Sequence, residues 1–254
     1  HADKRKLKTD NKNFSRITHQ KNSDINKANV CQFELTFRCG LHCRHCYTDC
    51  YNKGTYLKKE LNTDQIKLIL DKVHKAGIIW LCLTGGDPLT RSDFPEIYSY
   101  AKEKGFIITV FTNGYSMTDE IIRCLNERPP FVIEITLNAV TEDLYEKITR
   151  VKGSFNKVMR TRDIILEKKI PLKIKTQVTR DNLWQLPKIE RYAHGLGLQF
   201  TSSHILYPRL DGDMAPCNLR ISPYEVLSFD GGKRPQVKDC DLRKILVDCG
   251  LDLY

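Results

Sequence analysis

Between residues 30 and 203, short apolar runs rich in β-branched and aromatic residues alternate with amphipathic stretches six times over. Strands are expected at 30–37, 78–84, 106–112, 131–137, 172–178 and 198–203. Helical periodicity is expected at 63–76, 95–104, 119–126, 142–148, 155–169 and 186–195, with Asn62 or Thr63 capping the first helix and Gly77 stopping it. Six β–α steps of this spacing argue for a parallel sheet with crossover helices. A strand buried on both faces reads as a continuous apolar run, and Ile78-Ile79-Trp80-Leu81-Cys82-Leu83 does so. Periodicity alone leaves a doubly wound sheet and a partial barrel both open.

Beyond His204 the rhythm fails. Pro208, Gly212, Pro216, Pro223, Gly231, Gly232 and Pro235 break the chain up, with one helix expected at 223–229. Three regions follow: a basic arm at 1–29, an α/β unit at 30–204, and an irregular, cysteine-bearing extension at 205–254. The net charge is +10, and residues 1–30 supply half of it with eight Lys or Arg against three Asp. Such a polar, aperiodic arm reads as a solvated segment rather than a dedicated nucleic-acid arm, so nucleic acid is not the favoured partner. No run of eighteen apolar residues is present and the arm has no secretory pattern, so neither a membrane partner nor export is expected. Ten cysteines in 254 residues without an export signal point to metal or redox chemistry in the cytoplasm rather than to a disulfide scaffold.

Three of those cysteines follow the first strand directly, in Cys39-Gly40-Leu41-His42-Cys43-Arg44-His45-Cys46-Tyr47. Spaced by three and then two residues, their thiolates can converge on one face of a cubane cluster. A [4Fe–4S] cube normally takes four thiolates, so a three-cysteine loop leaves one iron open to another ligand. His42, His45 or Cys50 could instead complete a zinc site, which keeps a zinc-stabilised binding module without catalysis as the alternative of another class.

The Cys-x3-Cys-x2-Cys spacing, placed after the first strand of a β/α pattern, resembles the signature of the radical S-adenosylmethionine (SAM) superfamily. The resemblance implies a partial (β/α)6 barrel and a [4Fe–4S] cluster on Cys39, Cys43 and Cys46, with SAM chelating the fourth iron. It also implies an electron donor, such as a flavodoxin or ferredoxin. One electron then cleaves SAM, and a 5′-deoxyadenosyl radical abstracts a substrate hydrogen. His45 and Tyr47 flank the third cysteine, and His45 takes the family's aromatic position near the adenine.

Further segments extend the resemblance, each at the expected C-terminal end of a strand, where α/β folds place ligands. Gly85-Gly86-Asp87 is similar to the family's Gly-Gly-Glu, whose backbone and carboxylate hold the methionine amino group. Glycine there would allow close approach to a ligand. Thr112-Asn113-Gly114 resembles a Thr-Asn-Gly segment that approaches the ligand. Thr136 to Asn138, with Arg150 a helix later, resembles a Ser-Leu-Asp-Gly … Arg-Gly-Gly-Ser-Phe pattern of peptide-modifying members. Thr136 and Arg150 inherit contacts to the SAM carboxylate. Cys217, Cys240 and Cys249 form a candidate auxiliary iron–sulfur set. Cys249-Gly250 resembles the start of a SPASM or twitch region, although a full SPASM domain is not expected within these residues. Cys31, Cys82 and Cys124 read as core residues. The expected activity is hydrogen abstraction from a peptide or protein, leading to a cross-link, thioether, epimer or oxidised residue. An RNA-modifying or cofactor-biosynthetic enzyme is the alternative.

Overall fold

The computed structural model describes residues 28–229 and 244–247. Seven strands form one sheet: β1 Val30–Glu34, β2 Trp80–Thr84, β3 Ile107–Thr112, β4 Val132–Thr136, β5 Leu172–Gln177, β6 Gln199–Ser203 and β7 Lys244–Val247. Their order is β6-β5-β4-β3-β2-β1-β7, and every pairing is parallel. The longer helices are α1 Thr63–Lys75, α2 Phe94–Glu103, α3 Asp119–Glu127, α4 Glu142–Thr149, α5 Ser154–Glu167, α6 Leu186–Gly195 and α7 Pro223–Phe229. Local chemistry sets their ends. Asn62 and Gln65 close a capping box on α1. Thr118 caps α3, its Oγ1 accepting from Ile121 N at 3.3 Å.

One face of the sheet carries the core. Cys31, Phe33, Leu81, Leu83, Ile108, Val110, Ile133, Ile135 and Ile174 pack with Ile66, Leu70, Ile97, Tyr98, Leu125, Tyr145, Val158 and Ile189 from the helices. β1, β3, β4 and β5 alternate buried with half-buried residues rather than running apolar throughout. β2 comes nearest the continuous pattern, with four of its five residues buried. The helical layer therefore covers one face, and the alternate residues form an inner face with polar and charged side chains. This is the partial barrel, not the doubly wound sheet.

The ladder stops before the apolar runs do. Leu35 and Phe37 are buried beyond β1 and lead the chain into the cysteine loop. The extension is less irregular than its prolines suggest. Lys244–Val247 adds β7 beside β1, because an Ile-Leu-Val run can satisfy that open sheet edge.

Candidate active site

The loop carrying Cys39, Cys43 and Cys46 leaves β1 at its C-terminal end and is fastened on several sides. His42 N donates to Thr149 O and Arg44 N to Ile148 O, each at 3.0 Å, which ties the loop to the end of α4. The Arg44 guanidinium meets Asp181 at 2.6 Å beyond β5. Asn52 Nδ2 donates to Cys39 O at 2.9 Å. Donors also reach two sulfurs. Leu41 N and Asn113 Nδ2 lie 3.4 and 3.3 Å from Cys39 Sγ, and Thr48 Oγ1 lies 3.4 Å from Cys46 Sγ.

This environment suits sulfurs held by positively charged iron. Burial pushes all three thiols above their ordinary range. For Cys39, Asp87 and then Cys46 add to the rise; for Cys43, Cys46 and Cys39 do. As thiolates the three would need a cationic partner, which an iron–sulfur cluster would supply. Among the described residues, no three His, Cys, Asp or Glu side chains converge as a single metal ion would require. His45 adds a second sign of a ligand. Its Nδ1 is buried without a hydrogen-bond partner, and burial lowers its pKa to about 4 against an opposing pull from Asp181, leaving a neutral ring.

The glycine turn after β2 is also required by its packing. A Cβ on Gly85, whose φ is +138°, would come 2.3 Å from Thr36 O, and one on Gly86 would come 2.4 Å from Arg38 O. The close neighbour is the chain entering the cysteine loop. Gly86 N and Asp87 N donate to those same two carbonyls at 2.6 and 2.7 Å. The Asp87 carboxylate is fully buried and turned inward. It accepts from Leu89 N at 2.9 Å, from Thr112 Oγ1 at 2.8 and 3.0 Å, and from Asn113 N at 2.9 Å. Burial pushes its pKa up to about 6 while those donors pull the other way.

The Asp87 and Thr112 side chains are thus engaged in internal bonds. The same holds for Asn138, whose Oδ1 accepts from Gln177 N at 2.9 Å and joins the ends of β4 and β5. Asn113 stands between the two sets. Its backbone is held by Asp87, its Oδ1 accepts from Tyr115 N at 2.7 Å, and its Nδ2 reaches Cys39.

Thr136 ends β4 half-buried, facing away from the core. Arg150 immediately follows the residue that anchors the loop. It is exposed, adopts φ +60°, and has no side-chain partner among the described residues. Tyr47, at the loop's exit, donates to Glu34 at 2.7 Å.

Of the other cysteines, Cys31 is in the core, Cys82 is buried on the inner face, and Cys124 is only half-buried, against Ser99 and Pro95. Cys50 is buried. Cys217 is half-buried in the short helix Ala215–Leu219. Cys240, Cys249 and nearly all of the basic arm lie outside the described residues.

Contacts that motif spacing did not reveal come from distant segments. Arg209 reaches Asp49 at 3.3 Å, Leu210 N donates to Tyr47 O at 3.0 Å, and Tyr51 OH donates to Leu210 O at 3.3 Å. The stretch after β6 thus straps the cysteine loop from outside. On the inner face, a cleft of about 270 Å³ is lined in part by Gln32, Cys82, Thr109, Phe111 and Glu134. A larger one of about 400 Å³ lies beside Gly105, Pro129 and Pro130, at the opposite end of the strands from the loop.

A parallel β/α sheet with a cysteine loop at its C-terminal edge is an α/β partial barrel with its candidate site where such folds place ligands. Residues 33–186 match the radical SAM superfamily, and the chain belongs to it. That family implies SAM and a [4Fe–4S] cluster. An AdoMet-dependent heme synthase of Methanosarcina barkeri is 28% identical over 74% of this chain and 53% of its own length. The mycofactocin maturase MftC of Mycolicibacterium smegmatis is 30% identical over 66% of this chain and 43% of its own. The chain spans about half the length of the curated relatives it matches. Streptococcus suis SuiB, solved with precursor peptide SuiA, superposes with a TM-score of 0.62 at 14% identity, over 75% of this chain and 43% of that one. That likeness establishes the fold. No helix among the described residues is long and apolar enough to cross a membrane.

Proposed function

We propose that this chain uses Cys39, Cys43 and Cys46 to hold a SAM-ligated [4Fe–4S] cluster and modifies a peptide or protein. The observation that carries the reading is the three-cysteine loop, anchored to the residues just before Arg150. When bound, cluster and SAM together supply a carbon radical that removes a hydrogen atom from the substrate. In this reading Arg150 and Thr136 bind the SAM carboxylate, and His45 offers its unpartnered ring nitrogen to the adenine. The backbone of Gly85 and Gly86 borders the methionine amino group, while the Asp87 carboxylate keeps that turn in place. The inner face of the sheet orients the substrate and shields it from water.

The peptide assignment is supported by relatives named as peptide maturation proteins: MftC, the subtilosin biosynthesis protein AlbA of Bacillus subtilis, and PqqA peptide cyclases. A second reading, modification of a carboxylated tetrapyrrole, is favoured by relatives named as heme synthases and an Fe-coproporphyrin III synthase. In both readings the electron donor is a reduced flavodoxin or ferredoxin. Cys217, Cys240 and Cys249 remain candidates for an auxiliary cluster.

Iron and labile sulfide per chain after anaerobic reconstitution test the cluster. About four irons in the native protein and none in the Cys39/Cys43/Cys46→Ala variant support a single cluster. About four retained by the variant would place a second cluster on other cysteines. No iron in either protein would overturn the proposal. Dithionite-dependent release of 5′-deoxyadenosine, lost in the triple variant, tests the chemistry.

A further inference from the structure

The inner face of the sheet is charged where a packed barrel would be aliphatic. Phe111, Glu134 and Lys173 lie side by side on β3, β4 and β5. One step toward the cysteine-loop end, Lys175 stands between Thr136 on β4 and Thr201 on β6. Most of the charges on this face answer one another. Glu134 and Lys173 form an ion pair at 3.0 Å with side chains only 12 and 20% exposed. Glu34 accepts from Tyr47. Lys175 has no carboxylate partner among the described residues. Its ammonium instead lies 4.1 Å from the centroid of the Phe111 ring.

A half-buried ammonium on an aromatic ring has lost part of its hydration and gains only a modest cation–π return. An anion arriving from the open side gains a charge-assisted bond without displacing a protein carboxylate, because Glu134 is already neutralised by Lys173. The level is also right. Lys175 is the cross-strand neighbour of Thr136, on the face that the proposed function gives to the substrate.

We propose that Lys175 anchors a carboxylate of the substrate, with Phe111 holding the ammonium in place. The assignment rests on that functional reading and sharpens it. The substrate presents a carboxylate, either an acidic peptide side chain or a tetrapyrrole propionate, one strand away from the SAM contacts.

The test uses the reconstituted full chain, native and as Lys175→Met and Lys175→Arg. The probes are the blocked peptide Ala-Gly-Glu-Gly-Ala and coproporphyrin III, each beside a neutral twin: the Gln peptide and the porphyrin tetraamide. Binding is read by calorimetry for the peptides and by the Soret shift for the porphyrins. One carboxylate probe should bind the native protein roughly tenfold or more tighter than its twin. Lys175→Met should erase that preference and Lys175→Arg should retain it, with iron content and SAM affinity unchanged in both. Which probe shows the preference identifies the source of the carboxylate. A preference that survives Lys175→Met, or no preference for either acid, would overturn the assignment. A loss of SAM affinity in Lys175→Met would overturn it too, by giving the lysine to the cofactor. A native protein lacking both iron and SAM binding would instead overturn the functional reading beneath it.

Discussion

At the scale of single residues, the site is organised by hydrogen bonds that run from a buried carboxylate to the sulfur of Cys39, a proposed cluster ligand. Asp87 fixes the backbone of Asn113, and Asn113 directs an N–H at Cys39 Sγ. Donors to cluster sulfurs stabilise the more negative, reduced state. Asn113→Leu should therefore retain iron but move the cluster's reduction potential to a more negative value, read by EPR-monitored titration. An unchanged potential would show that the contact is only structural. Gly85 carries a different constraint. Gly85→Ala forces a Cβ to within 2.3 Å of a backbone oxygen at a φ of +138°. It should cost about 3 kcal/mol or more, seen as a clear fall in Tm or in soluble yield. The cysteine spacing and the Gly-Gly turn were both legible in the sequence. The inward orientation of Asp87, Thr112 and Asn138 was not, because a motif records which residues stand at a strand's end and not which way their side chains turn.

At the scale of elements, Asp93 joins the start of α2 to the start of α1 and the end of β1. It takes Arg91 in two contacts, at 2.8 and 2.6 Å, and accepts from Thr63 Oγ1 at 2.6 Å. Arg91 in turn donates to Leu35 O at 3.2 Å. Burial raises the pKa of Asp93, but Arg91 and Thr63 outweigh it and hold the group below its ordinary 3.8. A depressed carboxylate stabilises the fold above its unfolded pKa and loses that contribution as pH falls through the folded one. Native stability should thus drop below about pH 3.8 in part through this group. Asp93→Asn should lose about 1–3 kcal/mol at neutral pH and show a flatter acid limb in denaturant titrations. A variant as stable and as acid-sensitive as the native chain would remove Asp93 from this role. Element boundaries were legible to within a few residues because capping and periodicity act locally. β7 was missed because four residues in a proline- and glycine-rich stretch become a strand only beside a waiting edge.

At the scale of the whole molecule, the strap after β6 closes over the cysteine loop. Arg209 and Asp49 are 12 and 14% exposed, and Asp49 also holds His42 at 2.9 Å. Arg209→Ala should cost about 1–2 kcal/mol and, more tellingly, speed the loss of iron to a chelator by several-fold, because the loop opens more often. Equal release rates would mean that the strap does not guard the loop. The class of fold and the three-cysteine loop proposed to hold the cluster were legible in the residue order, since strand rhythm, capping and cysteine spacing are properties of short stretches. Three things required the folded chain: which face of the sheet stays open, which motif side chains turn inward, and which distant segments hold the loop. Each depends on contacts between residues far apart in the sequence, such as Arg209 with Asp49 or Lys175 with Phe111, and no local pattern encodes such a pairing.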